Sequence, residues 1–219
     1  KNPVTAKKIL IAPGERLDVL INFAGNTIGT EIFLLSKEFA SGGDAQGKQS
    51  FRIIKFKIAT SITDTFTVPA NLSAMTTIAA SSAVKTRTFD ISNAMEHHGY
   101  PMNDGMQMRH RINGKLFDSS RIDENISANT NEIWVFDNSK GDEPHPMHLH
   151  GVFFQVLGRS GGRGNLIASE NGWKDTVLVM PGETVRVIVP FENNTGKFVF
   201  HCHNLEHEDD GMMLQYQLS

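Results

Sequence analysis

Short apolar runs recur along the whole chain, and Pro, Gly and Asn separate them. They are rich in Val, Ile and Phe, which favour strands, and no amphipathic helical pattern of about 12 residues or more accompanies them. The runs cover residues 7–12, 16–23, 31–36, 51–58, 132–138, 151–158, 175–179, 184–191 and 197–203. This pattern predicts an all-β fold of the sandwich or barrel kind.

Two of these regions repeat each other. The segment "ILIAPGERLDVLINF" (9–23) aligns with "VLVMPGETVRVIVPF" (177–191), and with one gap "GTEIFLLS" (29–36) falls on "GKFVFHCH" (196–203). A repeat of this length predicts two copies of one β-sandwich unit, although a chance match of two hairpins is the alternative. The first copy carries Leu34-Leu35-Ser36 where the second carries His201-Cys202-His203.

The repeat also suggests a domain organisation. Residues 1–58 are too few for a whole sandwich, so we expect them to be the C-terminal part of a first unit. Residues 59–87 are rich in Ser, Thr and Ala and predict an extended interdomain linker. Residues 88–219 then form a complete second unit.

Charge and hydropathy exclude several classes of function. The net charge is −3 and no long basic run occurs, which argues against binding to nucleic acid or to acidic membranes. No apolar stretch approaches the roughly 20 residues that span a bilayer. The single cysteine cannot form an internal disulfide.

The chemistry is concentrated in two motifs. Six of the nine histidines lie in "HPMHLHG" (145–151) and "HCHNLEH" (201–207), and the second motif holds the only cysteine. Alternate residues of a strand share a face. His148 and His150 should therefore project together, as should His201 and His203, while Cys202 faces the other way. One strand can thus serve two sites.

The donor set at Cys202 favours copper. A thiolate with two imidazoles and a weak axial thioether is the ligand set of blue-copper sites, whereas zinc takes other Cys/His spacings. The candidates for that set are His145, Cys202, His207 and Met212, with Met213 as the axial alternative. The other imidazoles of the two motifs would form an all-histidine group suited to copper that meets oxygen. The competing interpretation of any one of these histidines is an ordinary core or surface residue.

"HPMHLHG" followed by "HCHNLEHEDDGMM" (201–213) resembles the C-terminal copper motifs of multicopper oxidases, particularly the laccase and bacterial cuprous-oxidase branches. "RINGKLFD" (111–118) and "GWKDTVLVMPGE" (172–183) resemble further segments of the last domain. The resemblance implies cupredoxin-like Greek-key β-sandwich domains. It also implies that residues 1–58 end a middle domain that carries no copper ligands.

The resemblance assigns a role to each residue of the two motifs. It implies type 1 ligands at His145, Cys202, His207 and Met212, a type 2 ligand at His148, and type 3 ligands at His150, His201 and His203. Glu208 matches an acidic residue that delivers protons near the oxygen-reducing cluster. A solvated carboxylate, or one that orients a ligand imidazole, is the alternative for Glu208.

The implied activity is oxidation of a small reductant at type 1 copper, with transfer of the electrons to a trinuclear copper cluster that reduces O₂ to water. In that family the cluster also takes four histidines from two H-x-H motifs of the first domain, and this chain has no such motifs besides 148–150 and 201–203. We therefore expect the N-terminal part of the same oxidase as a partner, and a periplasmic or secreted location. A blue-copper electron carrier without oxygen chemistry is the main rival, and a copper nitrite reductase relative is a more distant one.

The substrate is open at this point. Residues 94–110, "AMEHHGYPMNDGMQMRH", contain Met95, Met102, Met106 and Met108. Soft thioethers suit Cu(I), so a cuprous substrate is one possibility. A phenolic or other organic reductant is its competitor. An ordinary loop in which methionines fill gaps would explain the same residues.

Overall fold

The protein is described here by a computed structural model, which covers residues 2–39, 48–97, 106–192 and 194–219. Strands dominate these residues, as the apolar pattern predicts. They are β1 (Glu31–Ser36), β2 (Phe51–Lys57), β3 (Ala83–His97), β4 (Met106–Ile112), β5 (Glu124–Ile126), β6 (Thr130–Asn138), β7 (His145–Leu149), β8 (Phe154–Gly161), β9 (Trp173–Lys174), β10 (Thr176–Val179), β11 (Glu183–Phe191), β12 (Gly196–Cys202) and β13 (Met213–Leu218). A short α-helix, α1 (Leu205–Asp209), and two 3₁₀ turns, Ala80–Ser82 and Ala168–Glu170, complete the elements.

The C-terminal unit is a two-sheet sandwich. One sheet has the strand order β10-β7-β12-β13-β5, and the other has the order β4-β3-β6-β11-β8-β9. Most neighbours are antiparallel, but β3 pairs with β6 and β13 with β5 in parallel. Parallel neighbours cannot be joined by a tight hairpin, so the chain must cross between the sheets. The all-β prediction is confirmed.

Aromatic side chains fill the space between the two sheets. Trp134 is fully buried, and its ring centroid lies 4.7 Å from that of Phe89 and 4.9 Å from that of Phe200. Tyr216 closes the group at 5.7 Å from Trp134. Large rings in tilted contact bury much apolar area. This core therefore holds β12, with its histidines and cysteine, firmly against the opposite sheet.

The first unit is less regular than its sequence suggests. Only β1 and β2 pair there, and the strands expected at residues 7–12 and 16–23 are not formed among the described residues. That part of the prediction is wrong. A strand is stabilised by hydrogen bonds to a neighbour, and the described residues offer these segments no neighbouring strand. Their apolar side chains, such as Ile11 and Leu20, are exposed.

The connection between the units ends earlier than expected. Strand β3 begins at Ala83, so residues 83–87 of the predicted linker belong to the second sheet. Just before it, the side chain of Gln155 accepts a hydrogen bond from the Ile78 amide at 3.0 Å and donates one to the Thr76 carbonyl at 2.7 Å. These bonds fasten the end of the connection onto β8.

The turns of the two repeated segments are built alike. The Ala12 amide donates to Glu15 Oε2 at 2.9 Å, and the Met180 amide donates to Glu183 Oε2 at the same distance. Each turn is closed by a backbone bond of 3.1 Å, from Glu15 to Ala12 and from Glu183 to Met180. The aligned sequences therefore form the same local structure.

No helix among the described residues is long and apolar enough to cross a membrane.

Candidate metal centre

Strand pairing brings the two histidine motifs together. In the five-stranded sheet β7 is the neighbour of β12, and His201 lies opposite His148 while Cys202 lies opposite Met147. The His203 amide donates to the Pro146 carbonyl at 2.7 Å, which extends the contact beyond the strand end. Because paired residues share a face, the imidazoles of His148 and His201 fall on one side of this sheet and the thiol of Cys202 falls on the other. Two separate clusters result.

The first cluster contains Cys202, His145 and His207. The Sγ of Cys202 lies 3.6 Å from Nδ1 of His145 and 3.4 Å from Nδ1 of His207, and the two Nδ1 atoms are 3.2 Å apart. Helix α1 carries His207 back towards the strand, and the Met212 amide donates to the His207 carbonyl at 2.9 Å. One thiol and two imidazole nitrogens thus converge on a common point inside the core.

The two candidates for the axial position differ in their surroundings. Met212 is fully buried in the same apolar cluster as Cys202, and its carbonyl accepts the Cys202 amide at 3.1 Å. Met213 is partly exposed and pairs with His201 on the other face of the sheet. Of the two, Met212 is therefore the one buried in the core with Cys202, whereas Met213 lies on the face of His201.

Burial keeps the donors of the first cluster uncharged. It raises the pKa of the Cys202 thiol well above its ordinary value, and it lowers the pKa of His207 to about 3, with His110 adding a smaller effect. Burial also lowers the pKa of His145 strongly. Neutral imidazoles are ready to ligate, and a coordinated thiol is deprotonated outright by the charge of a metal. The donor set fits a soft transition metal such as copper.

His110 is a third imidazole at this cluster, which the motifs did not predict. Its ring stacks on that of His207 with centroids 3.7 Å apart, and it meets His145 edge-on at 5.3 Å. His110, His145 and His207 form one group of donors close enough to hold a metal ion. The buried Nδ1 of His110 has no hydrogen-bond partner among the described residues. Strand β4 supplies this residue, so its position could not be found without knowing the pairing of β3 and β4.

Glu143 borders the same cluster. Its Oε2 lies 3.2 Å from Nε2 of His207 and 3.7 Å from Nε2 of His110. A carboxylate on the outer nitrogen of a ligating imidazole orients the ring and raises its basicity. Glu143 stands two residues before the first motif, and the pattern of histidines does not point to it.

The second cluster lies on the other side of β12. The Nε2 atoms of His150 and His201 are 3.0 Å apart, and these residues form with His148 a second group able to hold a metal. The ring of His203 lies 5.4 Å, centroid to centroid, from the rings of both His148 and His201. All four predicted imidazoles are therefore gathered here. Burial lowers the pKa of His148 to about 4, which leaves it neutral and free to ligate.

Backbone carbonyls select which ring nitrogen remains free. Nδ1 of His148 donates to the Asp175 carbonyl at 2.9 Å, and Nδ1 of His201 donates to the Cys202 carbonyl at 3.0 Å. A carbonyl only accepts, so both Nδ1 atoms carry the proton and both Nε2 atoms keep a lone pair. The Nε2 atoms of His148 and His201 are thus available to ligate a metal.

Glu208 approaches the second cluster from solvent. Its Oε2 lies 3.4 Å from Nδ1 of His201, and its side chain is 32% exposed. A partly exposed carboxylate beside a buried imidazole can exchange protons with water or orient the ring. Both roles named from the sequence remain compatible with this position.

Asp175 links the second cluster to the first unit. Burial by itself would raise the pKa of the Asp175 carboxyl, but the hydrogen bonds and charge of Arg16 outweigh it and hold the pKa below the ordinary value. The Arg16–Asp175 contact joins residues 159 positions apart in the chain.

The chain is similar in sequence and fold to several known proteins. A family model described as multicopper oxidase matches residues 86–219. A laccase from Haloferax volcanii is 34% identical over 216 residues, which is 95% of this chain and 34% of that protein. Among solved structures, a laccase from Pediococcus acidilactici has a TM-score of 0.70 at 33% identity, over 91% of this chain and 38% of that one. The multicopper oxidase McoA from Aquifex aeolicus has a TM-score of 0.73 at 28% identity, over 91% and 42%.

These likenesses confirm the cupredoxin-like fold and copper as the metal of the family. The chain spans between about a third and two fifths of the length of the relatives that it matches. Its own two histidine clusters fall inside residues 86–219, the part that the family model covers. The chain belongs to the multicopper oxidase family.

Proposed function

We propose that this chain is the C-terminal, copper-binding part of an oxidase that takes electrons from a small reductant and gives them to O₂. The observation that carries the proposal is the placement of residues 201–203. The thiol of Cys202 joins the first cluster, while His201 and His203, its bonded neighbours, join the second. A few covalent bonds therefore connect a site for electron entry with a site for oxygen.

The first cluster is proposed as the type 1 site. Bound copper would supply one-electron redox chemistry there and at the second cluster. The side chains of this cluster would hold the ion and exclude water from it, since all four proposed ligands are buried. The proposed type 1 ligands are His145, Cys202, His207 and Met212.

The second cluster is proposed as half of the oxygen-reducing site, with His148 at the type 2 ion and His150, His201 and His203 at the type 3 pair. The other half would come from an N-terminal part of the same oxidase. Two observations support such a partner. The relatives are longer than this chain, and the sheet of β1 and β2 leaves Leu34, Phe51 and Ile53 exposed. Apolar side chains grouped on a sheet are normally covered by other protein.

Glu208 is proposed to deliver protons to the second cluster. It is partly exposed and sits beside the His201 ring, so it can collect a proton from water and release it close to where oxygen would be reduced. A Glu208→Gln variant should keep its copper and lose turnover. Loss of copper instead would assign Glu208 to orienting His201.

Cu(I) is the proposed substrate, on the evidence of a thioether site beside the first cluster. Strand pairing sets Met95 opposite Met108, and both side chains are exposed. The Asn93 amide nitrogen lies 3.4 Å from Sδ of Met108 and donates to Asp142 Oδ1 at 2.9 Å. Soft sulfur with a nearby carboxylate suits a cuprous ion. Met102 lies outside the described residues.

A comparison of reductants separates this substrate from its phenolic competitor. In the full-length oxidase, Met95→Leu and Met108→Leu together should raise the KM for Cu(I) at least several-fold and leave the oxidation of a phenol unchanged. Equal losses for both reductants would contradict the cuprous substrate.

The oxidase and the electron carrier predict different behaviour of the copper-loaded chain. We expect residues 1–219 to show the intense blue absorption of a type 1 site but to consume O₂ only when the N-terminal part is present. Oxygen turnover by residues 1–219 alone, at the rate of a whole oxidase, would contradict the proposal. Failure of the full-length protein to consume O₂ while its blue site is reduced and reoxidised would favour the electron carrier.

A further inference from the structure

A turn of the first unit lies directly against the second cluster. Gly14 has a left-handed φ of +80°, and a Cβ placed on it would lie 2.6 Å from Cδ2 of His203 and 3.0 Å from Oγ1 of Thr176. Only a glycine allows the backbone to come this close to the His203 ring. The turn of residues 12–16 therefore forms part of the wall around that imidazole.

The next two residues of the turn pair with two successive residues of the second unit. Oε1 of Glu15 lies 2.8 Å from Nζ of Lys174, and both side chains are almost fully buried. Arg16 donates from Nη2 to Asp175 Oδ2 at 2.6 Å and from Nη1 to Asp175 Oδ1 at 3.1 Å. Its Nη1 also donates to the Gly14 carbonyl at 2.8 Å. The guanidinium thus holds the turn and Asp175 in one fixed relation.

From Asp175 the contacts continue to His148. The Thr176 hydroxyl donates to Asp175 Oδ1 at 3.2 Å, and its oxygen lies 3.0 Å from Nδ1 of His148. The Asp175 carbonyl accepts from the same Nδ1 at 2.9 Å. Both acceptors require the proton on Nδ1. The orientation of His148 therefore depends on a segment whose carboxylate is held by Arg16.

The repeated turn in the second unit shows that Arg16 is not needed to make such a turn. The bonds that close the two turns are the same, but Thr184 stands at the position of Arg16. The second glutamate, Glu183, binds Arg159 and Arg163 instead of a lysine. Of the two turns, only the first carries an arginine directly after its glutamate, and only that arginine binds Asp175, the residue before Thr176.

We infer that the turn of residues 12–16 is a positioning element for the second cluster, in which Arg16 sets His148 through Asp175 and Gly14 sets the ring of His203. The expected effect on metal binding rests on the proposed function, whereas the expected effect on the orientation of the imidazoles does not. The competing explanation is an exposed ion pair that merely ties two parts of the chain together, since the Arg16 side chain is 67% exposed.

The test uses the metal-free protein first. Nitrogen-15 spectra of the imidazoles should show one tautomer of His148, protonated at Nδ1. In Arg16→Ala the His148 signals should shift towards those of a mixture of tautomers. Arg16→Lys keeps the charge but not the bidentate bond, so its His148 signals should lie between those of the wild type and Arg16→Ala. Lys55→Ala, which breaks the exposed ion pair with Glu31 in the same unit, should leave His148 unchanged. An unchanged His148 in Arg16→Ala, or an equal change in Lys55→Ala, would overturn the inference.

A second pair of variants tests the contact with His203. Gly14→Ala and Gly182→Ala strain equivalent left-handed positions, but a Cβ at Gly182 meets nothing within 4 Å. Only Gly14→Ala should shift the His203 ring signals. Equal shifts in Gly14→Ala and Gly182→Ala would overturn the role of the turn.

Copper then distinguishes the two proposals. In the full-length protein, Cu(II) should bind the His148 site about tenfold more weakly after Arg16→Ala, as is usual for loss of a residue that orients a ligand, with the blue absorption unchanged. If His148 responds in the metal-free protein but the wild type takes up no copper at the second cluster, the positioning role stands and the proposed function fails.

Discussion

His201 and Cys202 are joined by one peptide bond, yet they serve different clusters. Nε2 of His201 lies 3.0 Å from Nε2 of His150, whereas Sγ of Cys202 lies 3.4 Å from Nδ1 of His207. The alternation of side chains along β12 produces this separation. Changes on one face of the strand should therefore affect one site and spare the other.

Met212→Leu should raise the reduction potential of the type 1 site. A thioether in the axial position favours Cu(II), so its removal should favour Cu(I) by on the order of 2 kcal/mol, or roughly 85 mV for one electron. Met213→Leu is the matched control, because Met213 pairs with His201 on the opposite face. A redox titration followed at the blue band measures both variants. Equal shifts, or a shift only in Met213→Leu, would move the axial role away from Met212.

Glu143→Gln should also raise that potential, through charge. The carboxylate oxygen 3.2 Å from Nε2 of His207 stabilises the more highly charged Cu(II). Removing it should favour Cu(I) by about 1 kcal/mol, or roughly 40 mV. Glu31→Gln is the control, since that carboxylate pairs with Lys55 in the first unit. A potential that stays constant in Glu143→Gln would show that this contact does not tune the site.

Glu183→Gln should destabilise the second unit near neutral pH. The buried carboxylate accepts from Arg159, Arg163 and the Met180 amide, and loss of one partner from a buried ionic network costs about 3 kcal/mol. Glu31→Gln, at an exposed ion pair with Lys55, should cost less than about 1 kcal/mol. Urea unfolding of the two variants provides the comparison. A loss in Glu183→Gln as small as that in Glu31→Gln would contradict the importance of the network.

The same network predicts a pH dependence of the stability. Burial opposes ionisation of Glu183, but its arginine and amide bonds outweigh burial and lower its pKa below the ordinary value of 4.5. Its contribution is then complete above pH 4.5 and disappears as the pH falls through the lower native pKa. The difference in unfolding free energy between wild type and Glu183→Gln should therefore shrink below pH 4.5. A difference in unfolding free energy that grows as the pH falls would contradict a lowered pKa of Glu183.

Local patterns were enough to predict much of the site. The short apolar runs gave the all-β sandwich, and strand alternation placed Cys202 opposite to His201 and His203. The two motifs supplied Cys202, His145 and His207 of the first cluster and the four histidines of the second, because β7 and β12 are neighbours and bring the motifs together. The repeat predicted two copies of one unit, and the aligned turns at Glu15 and Glu183 are closed by the same bonds.

Features that depend on long-range packing were not predictable. His110 reaches the first cluster only because β4 pairs with β3, and Arg16 meets Asp175 only because a turn of one unit packs on the other. Long-range packing also explains why no strands form at residues 7–12 and 16–23. An apolar alternation favours a strand, but a neighbouring strand must supply its hydrogen bonds.

Strand β12 divides its donors between the two proposed copper sites, and Cys202→Ser tests this division most directly. Copper content, blue absorption and electron paramagnetic resonance should be measured on the copper-loaded full-length protein and on this variant. We predict that the variant loses the blue absorption and the type 1 resonance while it retains the type 2 resonance and the copper bound by His148, His150, His201 and His203. Loss of all copper in Cys202→Ser, with the fold intact, or survival of the blue absorption, would contradict the account.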